Sequence, residues 1–175
     1  MGRPPAIFVG DARGLDFLNS IARPIDTPID WLEDGEGLLS WLEQARLAPA
    51  DALKSIAAHA LPGELDNVAT QARSLREWFR GFVRRHKGRP LAAGDLAQLQ
   101  PLNRLLERDQ SFSRIVSQSQ HGSDPLQLQM VRRWQTPEAL LLPIGEALAR
   151  LLCSEDFSYV KACENPACTL LFADH

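Results

Sequence analysis

The sequence has few cysteines and no long apolar run, and both shortages restrict what the protein can be. Three cysteines in 175 residues are too few for a disulfide framework. We therefore expect free thiols, buried side chains or metal ligands in a reducing compartment. No stretch approaches the roughly 18 consecutive apolar residues of a membrane span, and the N-terminal residues lack the pattern of a secretory signal. The sequence thus predicts a cytoplasmic protein with no membrane partner.

Recognisable enzyme motifs are missing as well. The sequence contains no glycine-rich phosphate loop, no Gly-x-Ser-x-Gly elbow and no His-Glu-x-x-His pair, so we predict a non-enzymatic function. With 45% apolar and 23% charged residues, the composition is typical of one globular domain with at most a small appendage. A net charge of −3 argues against nucleic-acid binding by the whole surface, although a local basic patch is compatible with it.

The spacing of apolar residues predicts a mostly α (α+β) fold with five or six helices and one β-hairpin. The strongest amphipathic pattern runs from Glu64 to His86, where apolar residues recur every three or four positions. We expect further helices to begin at the candidate N-caps Thr27 and Thr136, each of which precedes a proline. The last helix runs to Cys153, whose thiol we place in the core.

Residues 112–130 follow a different pattern. Apolar residues lie between positions 112 and 116, and apolar and polar residues alternate between positions 126 and 130. A turn at His121–Gly122 separates the two stretches, which is typical of a β-hairpin. We expect this hairpin and the Glu64–His86 helix to share one hydrophobic core.

Four arginines are predicted to share one face of the Glu64–His86 helix: Arg73, Arg76, Arg80 and Arg84. The segment 73–89 carries a net charge of +6, which leaves −9 for the rest of the chain. The arginine face is nearly opposite the apolar stripe, so we expect it at the surface. One interpretation is that it binds phosphate groups of a nucleic acid or a small molecule, in which case neutralising the arginines should hardly affect folding. The other is a solvated face paired with the acidic segment 26–43.

Two polar residues, Asp16 and Asn19, lie within an apolar cluster near the N-terminus. Such residues usually satisfy nearby backbone groups, as in an Asx turn. The alternative is that they contact a ligand or a metal ion in a sensor pocket.

Near the C-terminus, Cys163 and Cys168 are separated by four residues that include Asn165 and Pro166, which favour a reversal of the backbone. Such a turn places two sulfurs close enough to hold one soft metal ion, which is half of a zinc site. Two unrelated thiols on a turn are the alternative. A tetrahedral site needs four ligands, and His175 is a candidate third, although a terminal histidine is usually solvated.

The segment CENPACTLLFAD, from Cys163 to Asp174, resembles the first half of the CGNR zinc finger. The segment LDFLNS, from Leu15 to Ser20, is similar to the signature of the helical ABATE domain that precedes this finger. The resemblance covers nearly the whole chain and divides it into an ABATE-like domain at 1–155 and a partial zinc knuckle at 156–175. In that family a second cysteine pair follows. We expect this pair either to lie beyond residue 175 or to be absent from this member.

The resemblance implies a bacterial transcription regulator linked to stress. In such a protein Cys163 and Cys168 would bind zinc, the finger would bind DNA, and the helical domain would sense a small-molecule ligand or form a homodimer. The alternative, from a different functional class, is a small-molecule-binding or structural zinc protein with no nucleic-acid role.

Overall fold

The structure is a computed structural model that describes residues 3–23, 27–117, 125–165 and 168–174. The described residues form a mostly α fold with some β structure. The six helices are α1 (Arg13–Leu18), α2 (Gly35–Gln44), α3 (Ala50–His59), α4 (Glu64–His86), α5 (Gln100–Leu106) and α6 (Leu141–Ser154). Three antiparallel two-stranded sheets pair β1 (Ile21–Ala22) with β2 (Ile29–Asp30), β3 (Ser111–Ser117) with β4 (Leu126–Arg132), and β5 (Val160–Ala162) with β6 (Leu171–Ala173). Short 3₁₀ segments at Ala93–Leu99 and Pro137–Leu140 lead into α5 and α6.

Helix α4 has the bounds that the periodicity predicts and forms the centre of the described fold. Its residues Phe79, Phe82 and Val83 are fully buried. Helices α1 and α2 pack against α4, so more than its apolar face is covered. Beyond the end of the helix, Gly88 has a φ of 79°, which glycine adopts without strain, and its N–H donates to the carbonyl oxygen of Phe157 (2.8 Å). In the described part of the chain neither α4 nor any other helix is long and apolar enough to cross a membrane.

The prediction of a helix start at Thr27 is wrong. Residues Ile29–Asp30 are extended and form β2, and α2 begins only at Gly35. The Asp34 carboxylate caps α2, because it accepts a hydrogen bond from the N–H of Gly37 (2.8 Å). An aspartate in this position satisfies an amide that has no partner within the helix, which fixes the first turn there.

Strands β3 and β4 form the predicted hairpin, with Ile115 opposite Leu128. The predicted turn at His121–Gly122 lies outside the described residues. One face of the hairpin presents Ile115, Leu126, Leu128 and Met130, each at least 68% exposed. The expectation that the hairpin shares a core with α4 is therefore wrong, because α1, α2 and the 3₁₀ segment before α6 pack against α4 instead. Exposed apolar faces are typical of interaction surfaces.

Helix α6 packs against α1, and the two helices approach closely at Gly14. A Cβ atom added to Gly14 would lie 2.9 Å from the carbonyl oxygen of Ala147, so the two helices meet with no room for a side chain. The last helical segment follows Thr136, as predicted, although the Thr136 side chain makes no capping hydrogen bond. The placement of Cys153 in the core is wrong, because its side chain is exposed. It lies about 200° around the helix from the buried Leu151.

The C-terminal hairpin β5–β6 contributes to the same core as the helices. Phe157, Val160 and Leu171 are each 1% exposed. The Phe157 ring meets the Phe82 ring of α4 edge to face, with 6.4 Å between the ring centres. Burial of these side chains fixes the position of the hairpin relative to α4.

Candidate metal centre

The β5–β6 hairpin brings Cys163 and Cys168 together. Cys163 directly follows β5, and its N–H donates to the carbonyl oxygen of Leu170 (3.0 Å), which extends the ladder between the strands. The N–H of Cys168 donates to the carbonyl oxygen of Asn165 (2.9 Å) and closes the turn between them. Both cysteines are free thiols and are partly exposed.

The two thiols lie close enough to each other for the Cys163 side chain to affect the pKa of Cys168. Burial raises the pKa of Cys168, and the neighbouring Cys163 raises it further, while a backbone hydrogen bond from Leu170 acts in the opposite direction. Metal ions bind the thiolate form of cysteine, so metal binding at this pair must displace protons. We therefore expect metal affinity to increase with pH.

A pair of adjacent thiols supplies half of the tetrahedral donor set that structural zinc sites use. Within residues 3–23, 27–117, 125–165 and 168–174, no group of three or more histidine, cysteine, aspartate or glutamate side chains could hold a metal ion. His175, the candidate third ligand, is outside the described residues. The donors present therefore fit a zinc ion as two of its four ligands.

Asn19 holds β6 in place through Leu171, which lies three residues after Cys168. The Asn19 side chain donates to the carbonyl oxygen of Leu171 (2.8 Å) and accepts from the Leu171 N–H (2.9 Å). Asn19 is fully buried. It immediately follows α1, so these two bonds tie the cysteine hairpin directly to the N-terminal part of the chain.

Arg80 holds the same hairpin from α4. Its guanidinium donates to the carbonyl oxygens of Leu18, at the end of α1, and of Thr169, the residue after Cys168, the latter at 3.1 Å. Burial lowers the pKa of Arg80, and the Glu77 carboxylate, 3.3 Å from its Nε, offsets part of this effect. Arg80 therefore joins α1, α4 and the cysteine turn.

Arg76 is 2% exposed and forms an ion pair with the Asp30 carboxylate. Its two terminal nitrogens donate to the two carboxylate oxygens (2.8 and 2.7 Å), and one of them also donates to the Ser20 hydroxyl (3.0 Å). Burial by itself would raise the pKa of Asp30. The hydrogen bonds and positive charge of Arg76 outweigh this effect and lower the pKa of Asp30 below its ordinary value.

The expectation that the arginine face lies at the surface is wrong for Arg76 and Arg80. Arg73 is half-buried, and it donates to the carbonyl oxygen of Leu32 (2.6 Å). Arg84 alone among the four is exposed, and no described residue accepts a hydrogen bond from it. The reason is that α1 and the segment around β2 cover the side of α4 that carries the first three arginines.

Asp16 is 2% exposed and lies apart from the cysteine pair. Its carboxylate accepts hydrogen bonds from the Gly10 N–H (2.9 Å) and from the Arg13 guanidinium (2.9 Å). Asp16 therefore satisfies a buried backbone amide and fixes the segment that enters α1.

Sequence reasoning offered the acidic segment 26–43 as a partner of the arginine face, and for Arg76 the ion pair with Asp30 confirms this pairing. It missed the Ser20 hydroxyl, which binds Arg76, and the carbonyl group of Thr169, which binds Arg80. Ser20 follows Asn19 directly, and this position is the only local signal that could have identified it. Thr169 lies far from Arg80 along the chain, so no local pattern could have identified it.

A comparison with protein-family models matches residues 11–155 to ABATE, which carries the description "Putative stress-induced transcription regulator". The chain belongs to the ABATE family. Searches of the curated proteins and of the solved structures found no match. The ABATE match contains α1 and α4, and thus Asn19 and Arg80, and it ends before β5 and the two cysteines. The contacts of Asn19 and Arg80 with residues 169–171 therefore connect the ABATE domain to the candidate metal hairpin.

Proposed function

We propose that this ABATE protein is a zinc-dependent transcription regulator whose C-terminal hairpin is part of a DNA-binding finger of the CGNR type. The helical domain controls the finger by sensing a ligand or by dimerising. The observation that carries the proposal is the proximity of the Cys163 and Cys168 side chains on a hairpin that Asn19 and Arg80 fix to the ABATE domain. Zinc at this position would stabilise the finger.

A basic surface lies close to this hairpin and supports a nucleic-acid partner. Arg84, Arg85 and Lys87, at the end of α4, are exposed, and no described residue accepts a hydrogen bond from their side chains. The hydrogen bond from Gly88 to Phe157 brings this end of α4 beside the segment that leads into β5. Free arginine and lysine side chains can neutralise phosphate groups, which produces an affinity that falls steeply with salt.

The test combines zinc content with DNA binding. A version extended past residue 175 and purified without added metal should contain zinc, and Cys163→Ser with Cys168→Ser should remove it, because a serine hydroxyl does not replace a thiolate ligand. Cys153→Ser, on the exposed side of α6, is the matched control and should keep the zinc. Elemental analysis measures the metal, and gel shifts at increasing salt measure DNA binding, which should weaken in the double variant alone.

Two results would contradict parts of this proposal. Zinc content that is zero, or unchanged in the double variant, would exclude a zinc site at these cysteines. Zinc that depends on both cysteines, together with no gel shift even at low salt, would exclude the DNA-binding role. That second outcome would favour the alternative of a structural or small-molecule-binding zinc protein.

We further propose that the homodimer, one of the two roles considered for the helical domain, forms through the β3–β4 hairpin. Within residues 113–117 and 126–130, the exposed face with Ile115, Leu126, Leu128 and Met130 also carries Ser113 and Ser117 and no charged residue. Arg132, at the end of the same face, is already paired with Asp109 and Glu146. A second copy can pack on such a face around a two-fold axis without burying an ion. An isolated two-stranded hairpin is marginally stable in water, so a partner hairpin would also stabilise the sheet.

Leu128→Lys should therefore convert a dimer to a monomer without unfolding the chain, because the leucine is 72% exposed. Gln127→Lys adds the same charge to the opposite face of the same strand, where its cross-strand neighbour is Val116, and should leave the dimer intact. Sedimentation velocity measures the association state. A wild-type chain that is monomeric at every concentration, or a Leu128→Lys variant that remains dimeric, would exclude this interface.

A further inference from the structure

A cleft of about 390 Å³ lies away from the cysteine hairpin, between the residues that precede α1, the loop between α2 and α3, and helix α6. Leu47, Ala147 and Leu151 give it an apolar floor. Its rim carries six charged residues: Asp11, Arg13, Arg46, Glu146, Arg150 and Glu155. The volume falls within the range of small-molecule sites, roughly 300–1,000 Å³.

The backbone at this rim is unusual. Asp11 (φ 59°) and Arg46 (φ 55°) are the only non-glycine residues with positive φ in the described part of the chain, and both line the cleft. Arg46 follows the end of α2, in the position where helices usually place glycine or asparagine. Side chains kept in this conformation are frequently found at ligand-binding sites.

Most of the other charges around the cleft already have partners. Arg150 donates to Glu146 (2.7 Å), which also accepts from Arg132 (2.9 Å). Arg13 donates to Asp16, and Glu155 also has an interaction partner. By contrast, no described residue pairs with the side chains of Arg46 and Asp11. As far as the described residues go, the rim therefore offers one unpaired guanidinium and one unpaired carboxylate above an apolar floor.

We propose that this cleft binds a free α-amino acid with an apolar side chain. Arg46 binds the carboxylate of the ligand, Asp11 binds its ammonium group, and Leu47, Ala147 and Leu151 contact its side chain. A zwitterion with an apolar body matches both free charges and the floor, whereas a simple anion or cation leaves one charge unmatched. The proposal identifies the ligand class for the sensing role and in this respect rests on the proposed function.

Helix α1 provides the physical connection between this cleft and the cysteine hairpin. Asp11 and Arg13, at its N-terminal end, line the cleft, while Leu18 and Asn19, at its other end, bind Arg80 and Leu171. The close packing of Gly14 on α6 fixes α1 against the wall of the cleft. A ligand that repositions the start of α1 would therefore act on the contacts that hold the hairpin, and zinc and the ligand should affect each other's affinity equally.

Isothermal titration calorimetry with three probes that share the same apolar side chain tests the site. L-leucine carries both charges, 4-methyl-2-oxopentanoate lacks the ammonium group, and 3-methylbutylamine lacks the carboxylate. We expect L-leucine to bind at least about tenfold more tightly than either analogue, since each analogue loses a hydrogen-bonded charge pair. Arg46→Gln should abolish the preference for L-leucine over the amine, and Asp11→Asn should abolish the preference for L-leucine over the oxo acid. Arg104→Gln and Asp51→Asn, which are exposed elsewhere, are the matched controls and should change neither preference.

Three outcomes would overturn the site: no binding of L-leucine, L-valine or L-phenylalanine at millimolar concentration, equal binding of L-leucine and an analogue, or unchanged preferences in both variants. Thermal melts show whether each variant is folded, and Arg46→Lys, which keeps the charge, should retain part of the affinity for L-leucine. L-leucine binding with no effect on zinc or DNA affinity would leave the site established and would contradict the sensing role alone.

Discussion

Replacing Arg76 with alanine is expected to lower the free energy of unfolding by about 3–5 kcal/mol. The Arg76 guanidinium is 2% exposed and donates both hydrogen bonds of its ion pair to Asp30, so the substitution leaves a carboxylate, 21% exposed, without its counter-ion. Denaturant titration measures the effect. Arg84→Ala, on the exposed part of the same helix, is the control and should change the free energy by less than about 0.5 kcal/mol. A loss below about 1 kcal/mol for Arg76→Ala would contradict the buried placement.

The same ion pair predicts how stability depends on pH. The pKa of Asp30 is lowered from 3.8 in the folded protein, because Arg76 outweighs the effect of burial. A lowered folded-state pKa means that the pair stabilises the protein fully above the ordinary pKa of Asp30 and loses this contribution as pH falls below it. Unfolding free energies measured between about pH 5 and pH 1 should therefore fall less steeply for Arg76→Ala than for the wild type. Parallel curves would show that the pair contributes nothing to acid stability.

Asn19→Ala is expected to cost about 2–4 kcal/mol. It removes the two hydrogen bonds to Leu171 and leaves a buried N–H and a buried carbonyl group without partners, each at a cost of about 1–3 kcal/mol. Asn67→Ala, on the exposed face of α4, is the matched control. Denaturant titration measures the loss for the whole domain.

A second measurement identifies the place where Asn19→Ala acts. Hydrogen exchange of the Leu171 and Ala173 amides should accelerate, and thiol reagents should react faster with Cys163 and Cys168, because the hairpin detaches from α1. In Asn67→Ala both rates should stay at the wild-type value. Unchanged exchange and thiol reactivity in Asn19→Ala would show that Asn19 does not anchor the hairpin.

Local patterns predicted the elements whose formation depends on neighbouring residues. The periodicity between Glu64 and His86 defined α4, and the alternation around positions 126–130 defined β4. The LDFLNS segment indicated the ABATE domain, whose family model matches residues 11–155. These predictions succeed because helix and strand formation reflects side-chain spacing over a few residues.

The sequence by itself thus determined the main helices, the β3–β4 hairpin and the family. Only the tertiary structure decided which faces are covered: it buried Arg76 and Arg80, exposed the apolar face of the hairpin, and placed Asn19 on Leu171, 152 residues away. A periodic pattern shows that the two faces of a helix or strand differ in polarity. Whether a given face is exposed to solvent depends on segments that are distant in the sequence and that pack against it only in the folded protein. A row of arginines on one helix face therefore has the same sequence pattern in both cases: when it is exposed to solvent, and when it is buried against a distant carboxylate and backbone carbonyl groups.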